Sequence, residues 1–192
     1  MIKTEKADTR KKLKEKVKNL PSDYCRKADK SIVTRVIDLP EYRNSKTVFC
    51  YVGMVDEINT RPLLLDALKK GKRVGVPRCL GKGIMKVFEI QSLCDLEEGS
   101  FGILEPKEDC RVIEPDEIDM GCIPCLSCTR TGIRLGYGGG FYDRYLTGTS
   151  FSRVILCREQ LISDELPVED HDQRMDVVVT EKGTIRCAAD SE

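Results

Sequence analysis

Between Arg134 and Arg144 the chain carries four glycines, Gly136, Gly138, Gly139 and Gly140, within five residues, and Asp143 stands beside the second arginine. Residues without side chains let backbone N–H groups come close to a ligand and take up dihedrals barred to other residues. Successive N–H groups leading into a helix form a nest for an anion. Arg134 and Arg144 flank that nest with planar donors suited to phosphate oxygens. No GK[ST] follows, and the spacing is not G-x-G-x-x-G, so neither common nucleotide fingerprint is present. A loop whose glycines only permit a tight bend is the plainer alternative. Tyr137, Phe141, Tyr142 and Tyr145 favour a ligand, because aromatic rings are costly to leave exposed in a mere spacer.

Two further polar segments follow apolar runs. Asp56-Glu57 comes soon after TVFCYV at 47–52, and Pro167 to Asp172 lies beyond RVILC at 153–157. Glu57 reads either as a surface carboxylate in a turn or as an acceptor for ligand N–H groups. His171, the one histidine, stands between Asp170 and Asp172 and is expected to be solvated or to orient a neighbour.

The run CIPCLSC spaces Cys122, Cys125 and Cys128 as in the first three ligands of an iron-sulfur cluster, but the usual fourth Cys with its proline is missing. Cys110 or Cys157 could act as a remote fourth ligand for iron-sulfur or zinc. Against a metal, a strand covering part of this run would not keep a three-residue repeat on one face. Unpaired thiols in a reducing compartment are the expected state.

The elements that must position these groups are legible in outline. Leu13, Val17 and Leu20 give a helix over about 8–20 with one apolar stripe and a Lys-rich outer face, ended by Pro21. Ile32, Val33, Val36 and Ile37 mark a second, closed by Pro40. TVFCYV reads as a buried strand. Thr60 as cap, Pro62 and the set Leu63, Leu64, Ala67 and Leu68 give a helix that Gly71 terminates, and KRVGV at 72–76 is the next strand. This βαβ unit should cross over right-handed. IMKVFEI at 84–90 reads as an edge strand, and 91–117 as turns and loop. Strands are expected again near 118–124, 153–157 and 176–180, with loop then helix across the glycine run. The sum is a single three-layer α/β domain over residues 1–192 with a mostly parallel sheet between helices. Ligands of such sheets bind beyond the carboxyl ends of the strands, where all three polar segments fall.

Composition restricts the function. Lys plus Arg and Asp plus Glu both number 32, which offers no argument for a nucleic-acid partner. Residues 1–20 hold eight basic side chains against Glu5, Asp8 and Glu15, either a solvated helix face or an anion contact. No apolar run reaches the roughly 18 residues of a membrane span, and the N-terminus runs straight into charge. A cytosolic location and no membrane partner are the expectation.

The run RLGYGGGFYDRYL at 134–146, with Gly132 before it, resembles the signature of the 5-formyltetrahydrofolate cyclo-ligase family, also called 5,10-methenyltetrahydrofolate synthetase. Tyr51 with DEINT at 56–60, GKRVGVPR at 71–78, FGILEP at 101–106 and LPVEDHD at 166–172 agree in order, so the resemblance covers nearly the whole chain. It implies an ATP- and Mg2+-dependent ligase closing 5-formyltetrahydrofolate, with or without a polyglutamate tail, to 5,10-methenyltetrahydrofolate. A monomer is expected. It puts nucleotide contacts at Arg10, Leu13-Lys14 and Arg134, Leu135, Gly136, Tyr137, Gly138, Gly139, Gly140, Phe141 and Tyr142. Folate contacts fall at Val52, Glu57 and Tyr137 to Phe141, magnesium carboxylates at Asp143 and Asp172, and Arg134, Tyr142 and Arg144 are the catalytic candidates. Two places depart from the usual pattern: Cys128-Thr129 stand for Phe-Asp, and Leu13-Lys14 for Leu-Arg. A catalytically weak folate-binding or storage relative is the alternative reading.

Overall fold

The computed structural model describes residues 2–81, 83–99 and 102–187. Phe101 of the FGILEP motif and both extreme termini lie outside that set. The chain begins with α1 (Ile2–Lys18), α2 (Ser22–Asp38) and α3 (Pro40–Asn44), then β1 (Thr47–Cys50), α4 (Arg61–Lys69), β2 (Arg73–Gly81) and β3 (Ile84–Ile90). Short strands β4 (Leu96–Glu98), β5 (Leu104–Pro106) and β6 (Val112–Ile113) occupy the segment expected to be turns and loop. There follow β7 (Met120–Ile123), β8 (Ser127–Cys128), β9 (Arg134–Leu135), α5 (Phe141–Leu146), β10 (Ser152–Leu156), β11 (Val177–Val179) and β12 (Thr184–Arg186).

The main sheet runs β12-β11-β10-β7-β1-β2-β3-β6. Its five middle strands are parallel, and β12, β3 and β6 are antiparallel additions at the two sides. IMKVFEI is therefore one place in from the edge, because Val112–Ile113 pairs outside it. Val48, Phe49 and Cys50 alternate between faces. Val48, Cys50, Met120, Cys122, Val154 and Leu156 meet Ile32, Val33, Val36, Tyr42, Leu63 and Leu64 under α2 to α4. Phe49, Ile123, Ile155 and Val178 face the other way, toward Leu146, Phe151, Val17 and Leu20. Burial on both faces explains why these strands read as continuous apolar runs, as buried parallel strands do.

Local signals operate largely as read, with two changes. Thr60 is the N-cap residue of α4, its carbonyl accepting from the N–H groups of Leu63 and Leu64, but its side chain makes no capping bond. Its hydroxyl instead donates to the Tyr51 carbonyl at 2.6 Å and accepts from the Gly53 N–H, tying together the two ends of the loop after β1. Gly71, at φ +71°, closes α4 with its own N–H on Leu68 and that of Lys72 on Ala67, satisfying carbonyls the helix leaves open. The second change concerns α1, whose basic side chains do not all face out. Lys6 is buried at 5% exposure, Arg10 reaches the glycine run, and Leu13 packs with Leu126, Leu135 and Leu166. With Val17 these recur at helical spacing, so one face of α1 crosses the carboxyl edge of the sheet and roofs the loops there. Among the described residues no helix is long and apolar enough to cross a membrane.

Candidate active site

Because β1, β7 and β10 are parallel neighbours, the segments that leave them emerge on one edge. The loop after β1 holds Val52 to Asn59. The segment after β7 forms the β8-β9 hairpin and then the glycine run, and the segment after β10 leads to Glu169 and Asp172.

A cavity of about 510 Å³ lies there, with Lys14, Val17, Val52, Glu57, Leu104 and Tyr137 among its walls. Its size suits a small organic ligand, and its walls are mostly apolar with a few polar groups, as ligand sites generally are. Lys14, Val52, Glu57 and Tyr137, assigned from distant parts of the sequence, thus share one pocket. Lys14 with Lys18 and Arg61 makes part of the rim basic. Burial pushes the Glu57 carboxyl above its ordinary range, partly offset by hydrogen bonds from the Met54 N–H, at 3.0 Å, and from the Tyr137 hydroxyl. Glu57 is therefore a pocket group rather than a free surface carboxylate.

Arg158 holds this wall in place and was not singled out in the sequence. It is 4% exposed, bonds Asp29 of α2 through both carboxylate oxygens, and donates to the carbonyls of Asp56 and Glu57. Asp29 also accepts from the Asn59 N–H. The available signal was a charged residue directly after the buried run RVILC, which must be paired to be tolerated.

The glycine run turns between β9 and α5. Gly138 and Gly140 have φ of +105° and +65°, and the Arg10 Nε donates to the Gly136 carbonyl at 2.8 Å. Arg10 and the glycine run, both assigned to the nucleotide, are in direct contact. Arg134 is buried: its Nη2 donates to Asp143 at 2.7 Å, its Nη1 to the Pro124 carbonyl, and its guanidinium lies over the Tyr142 ring. Its Nε is buried without a partner, a donor that a ligand oxygen would satisfy. Arg144 is exposed and donates to the carbonyls of Gly83 and Gly139, linking α5 to the β2-β3 turn. The aromatics divide: Tyr142 stacks on Phe49 and Phe141 packs beneath the sheet, whereas Tyr137 stays 38% exposed at the pocket. Leu135 is core.

Asp143 is thus held by Arg134, and Asp172 by Lys6, whose Nζ lies 2.5 Å from Oδ2. The same ammonium reaches Glu169 at 2.9 Å. Glu169, His171 and Asp172 bring ligand atoms within 4.8 Å of one another. Burial would raise the Asp172 pKa, but the Lys6 ammonium and the Glu169 N–H hold it below the ordinary carboxylate value. His171 is exposed, as expected. Lys6 escaped the sequence reading because a lysine in a basic run carries no sign of which way it turns.

Of the cysteines, Cys122 faces Cys50 under α2 to α4, while Cys125, Cys128 and Cys157 converge within 4.8 Å on the opposite face. The strand argument holds for Cys122, and the chain folds Cys157 in beside the other two. All ten thiols are unpaired.

Comparison with known proteins points one way. The model of the 5-formyltetrahydrofolate cyclo-ligase family matches residues 2–181. A probable 5-formyltetrahydrofolate cyclo-ligase of Schizosaccharomyces pombe is 32% identical over 173 residues, covering 81% of this chain and 85% of the relative. The solved 5,10-methenyltetrahydrofolate synthetase of Aquifex aeolicus superposes with a TM-score of 0.86 at 29% identity, over 97% of this chain and 95% of that one. A Mycoplasma pneumoniae 5,10-methenyltetrahydrofolate synthetase shares the fold at TM-score 0.75 and 20% identity, over 92% and 98% of the two chains.

Proposed function

Since this chain belongs to the 5-formyltetrahydrofolate cyclo-ligase family, we propose that it converts 5-formyltetrahydrofolate to 5,10-methenyltetrahydrofolate, consuming ATP with Mg2+ and releasing ADP and phosphate. The observation that carries this reading is the 510 Å³ cavity, whose wall residue Tyr137 also belongs to the glycine run. On this reading the cavity takes the pterin and the adjoining glycine run takes the anion.

The donor sets fit the groups the reaction needs. The carboxylates of Glu169 and Asp172 are hard oxygen ligands of the kind Mg2+ takes, and a cation, the Lys6 ammonium, already rests on them. Magnesium, when bound, neutralises phosphate oxygens during transfer. Asp172 would hold it, with Asp143 as the second ligand that the family resemblance implies; Asp143 is paired with Arg134 and lies outside the Glu169–His171–Asp172 group. Arg10, the buried Arg134 Nε and the N–H groups of the glycine run would meet the phosphates of ATP. A formamide oxygen leaves poorly; once it carries the phosphoryl group from ATP, N10 of the folate attacks the formyl carbon, the ring closes, N10 gives up its proton to solvent and the oxygen departs with phosphate. Glu57 and Tyr137 orient the pterin, and fixing the two nitrogens makes closure intramolecular, which can remove several kcal/mol of barrier. Arg144 and Tyr142 act by fixing α5 and the aromatic floor beside that centre.

The test is direct. Purified protein with Mg2+, ATP and 5-formyltetrahydrofolate should develop the absorbance of the methenyl product and release ADP, and omission of ATP should abolish both. Binding of both substrates without product would replace this reading with that of a folate-binding or storage relative.

A further inference from the structure

The three thiols that the folate chemistry does not use lie where the fold itself brings them together. In the register of β10 on β7, Val154 faces Cys122 and Ile155 faces Ile123. Two residues further on, Cys157 comes opposite Cys125, just past the ends of both strands. Cys128 is returned to the same spot by the β8-β9 hairpin, anchored through a bridge to Ile162 and through the Ser127 hydroxyl on the Leu161 carbonyl at 2.6 Å. The three sulfurs lie within 4.8 Å of one another, with Cys128 at 0% and Cys157 at 2% exposure.

We propose that Cys125, Cys128 and Cys157 form a binding site for a soft divalent cation, of which zinc is the biological representative. Three zinc-bound thiolates at about 2.3 Å from the metal stand about 3.8 Å from one another, so only a small contraction of this cluster is needed. The donor type selects a soft ion: thiolates favour zinc over magnesium or calcium, whereas the Glu169–His171–Asp172 group offers two carboxylates and one imidazole, a mixed set that zinc also accepts. The cysteine variants therefore have to separate zinc held by the thiols from zinc held by that second group. Zinc seeks a fourth ligand. Beside the cluster runs a crevice of about 20 Å³ lined by Cys125, Cys157, Glu57, Tyr137 and Arg158. It has room for one water, enough to complete the shell. Three thiolates around a divalent ion leave a single negative charge, less than a monovalent ion would leave, and binding releases thiol protons to solvent. Cys50 and Cys122 on the other face and the exposed Cys94 are excluded by position.

Full-length reduced protein, freed of metal by chelation, should take up one equivalent of Zn2+ per chain by equilibrium dialysis. Cd2+ should give one equivalent of sulfur-to-cadmium charge-transfer absorption in the ultraviolet. Because Cys128 and Cys157 are already shielded in the folded chain, alkylation is followed during mild denaturation, where loading should slow the reaction of three thiols, identified by mass spectrometry as Cys125, Cys128 and Cys157. The variants Cys128→Ser and Cys157→Ser should lose the stoichiometric site, whereas Cys50→Ser and Cys94→Ser should keep it. Should a buried variant fold poorly, the protection pattern of the unmodified protein decides. The proposal is overturned if reduced protein binds neither ion stoichiometrically, if protection falls on other cysteines, or if folded Cys128→Ser and Cys157→Ser bind undiminished. Isolation of a Cys125–Cys157 disulfide in place of metal uptake overturns it equally.

Discussion

Arg158 meets Asp29 with two hydrogen bonds, Nε to Oδ1 at 2.8 Å and Nη2 to Oδ2 at 3.1 Å, and so fastens the wall of the cavity to α2. Both side chains are nearly buried, so breaking the pair leaves one charge uncompensated, at a cost of about 3–5 kcal/mol. Asp29→Asn and Arg158→Met are therefore expected to lower Tm and to raise the folate KM more than the ATP KM. Arg158→Lys keeps the charge but loses the fork, and should retain stability better than folate affinity. Equal changes in both KM values would show that the pair supports the fold without positioning Glu57.

Glu57 gives folate use a pH dependence. Burial favours its neutral form, so its pKa in the folded chain is raised. The sign follows: its contribution to stability is complete below the unfolded carboxylate value and is lost as pH rises through the folded one. To accept pterin N–H groups on both oxygens the carboxyl must be ionised, so folate affinity should strengthen over that same rise. Glu57→Gln should weaken folate binding and flatten the profile. Titration of folate binding across the acidic range, with both proteins, checks it, and an unaltered profile in the variant would remove Glu57 from the contact.

Lys6 and a divalent cation call on the same carboxylates. Lys6→Met should lower the half-saturating Mg2+ concentration by about fivefold. The opposite shift would mean that Lys6 serves the site by docking α1 rather than by competing.

Asp143→Ala should reduce turnover by about 100-fold, by loosening both the proposed metal ligand and the Arg134 guanidinium beside it. Turnover unchanged at limiting Mg2+ would refute the role. Asp143→Asn, which can still accept from Arg134, should recover part of the loss only if positioning of Arg134 is a component.

Gly138→Ala separates backbone conformation from space. An added Cβ would find Arg10 no closer than 3.5 Å, an ordinary contact, yet φ of +105° suits glycine alone. The strain, about 1–2 kcal/mol, should appear as a raised ATP KM, with a smaller rise in folate KM because Gly138 also stands in the segment assigned to folate. A normal ATP KM would make the glycine run a bend and nothing more.

What the sequence determined by itself was local and periodic. Apolar runs at 47–52, 153–157 and 176–180 became β1, β10 and β11, because buried parallel strands need no partner information to be recognised. Gly71 and Pro62 bracketed α4 for the same reason, since backbone geometry acts within a few residues. The length of the 134–146 motif marked the family, and Arg10 with the glycine run, and Glu57 with Tyr137, did come together. Tertiary structure alone decided which charges turn inward. Lys6, Asp29 and Arg158 pair across 129 to 166 residues of chain, and Thr60 gave up its capping bond to fasten a loop. Cys157 joined Cys125 only through the register of two strands. Such contacts depend on which loops share a sheet edge, and one-dimensional periodicity holds no record of that.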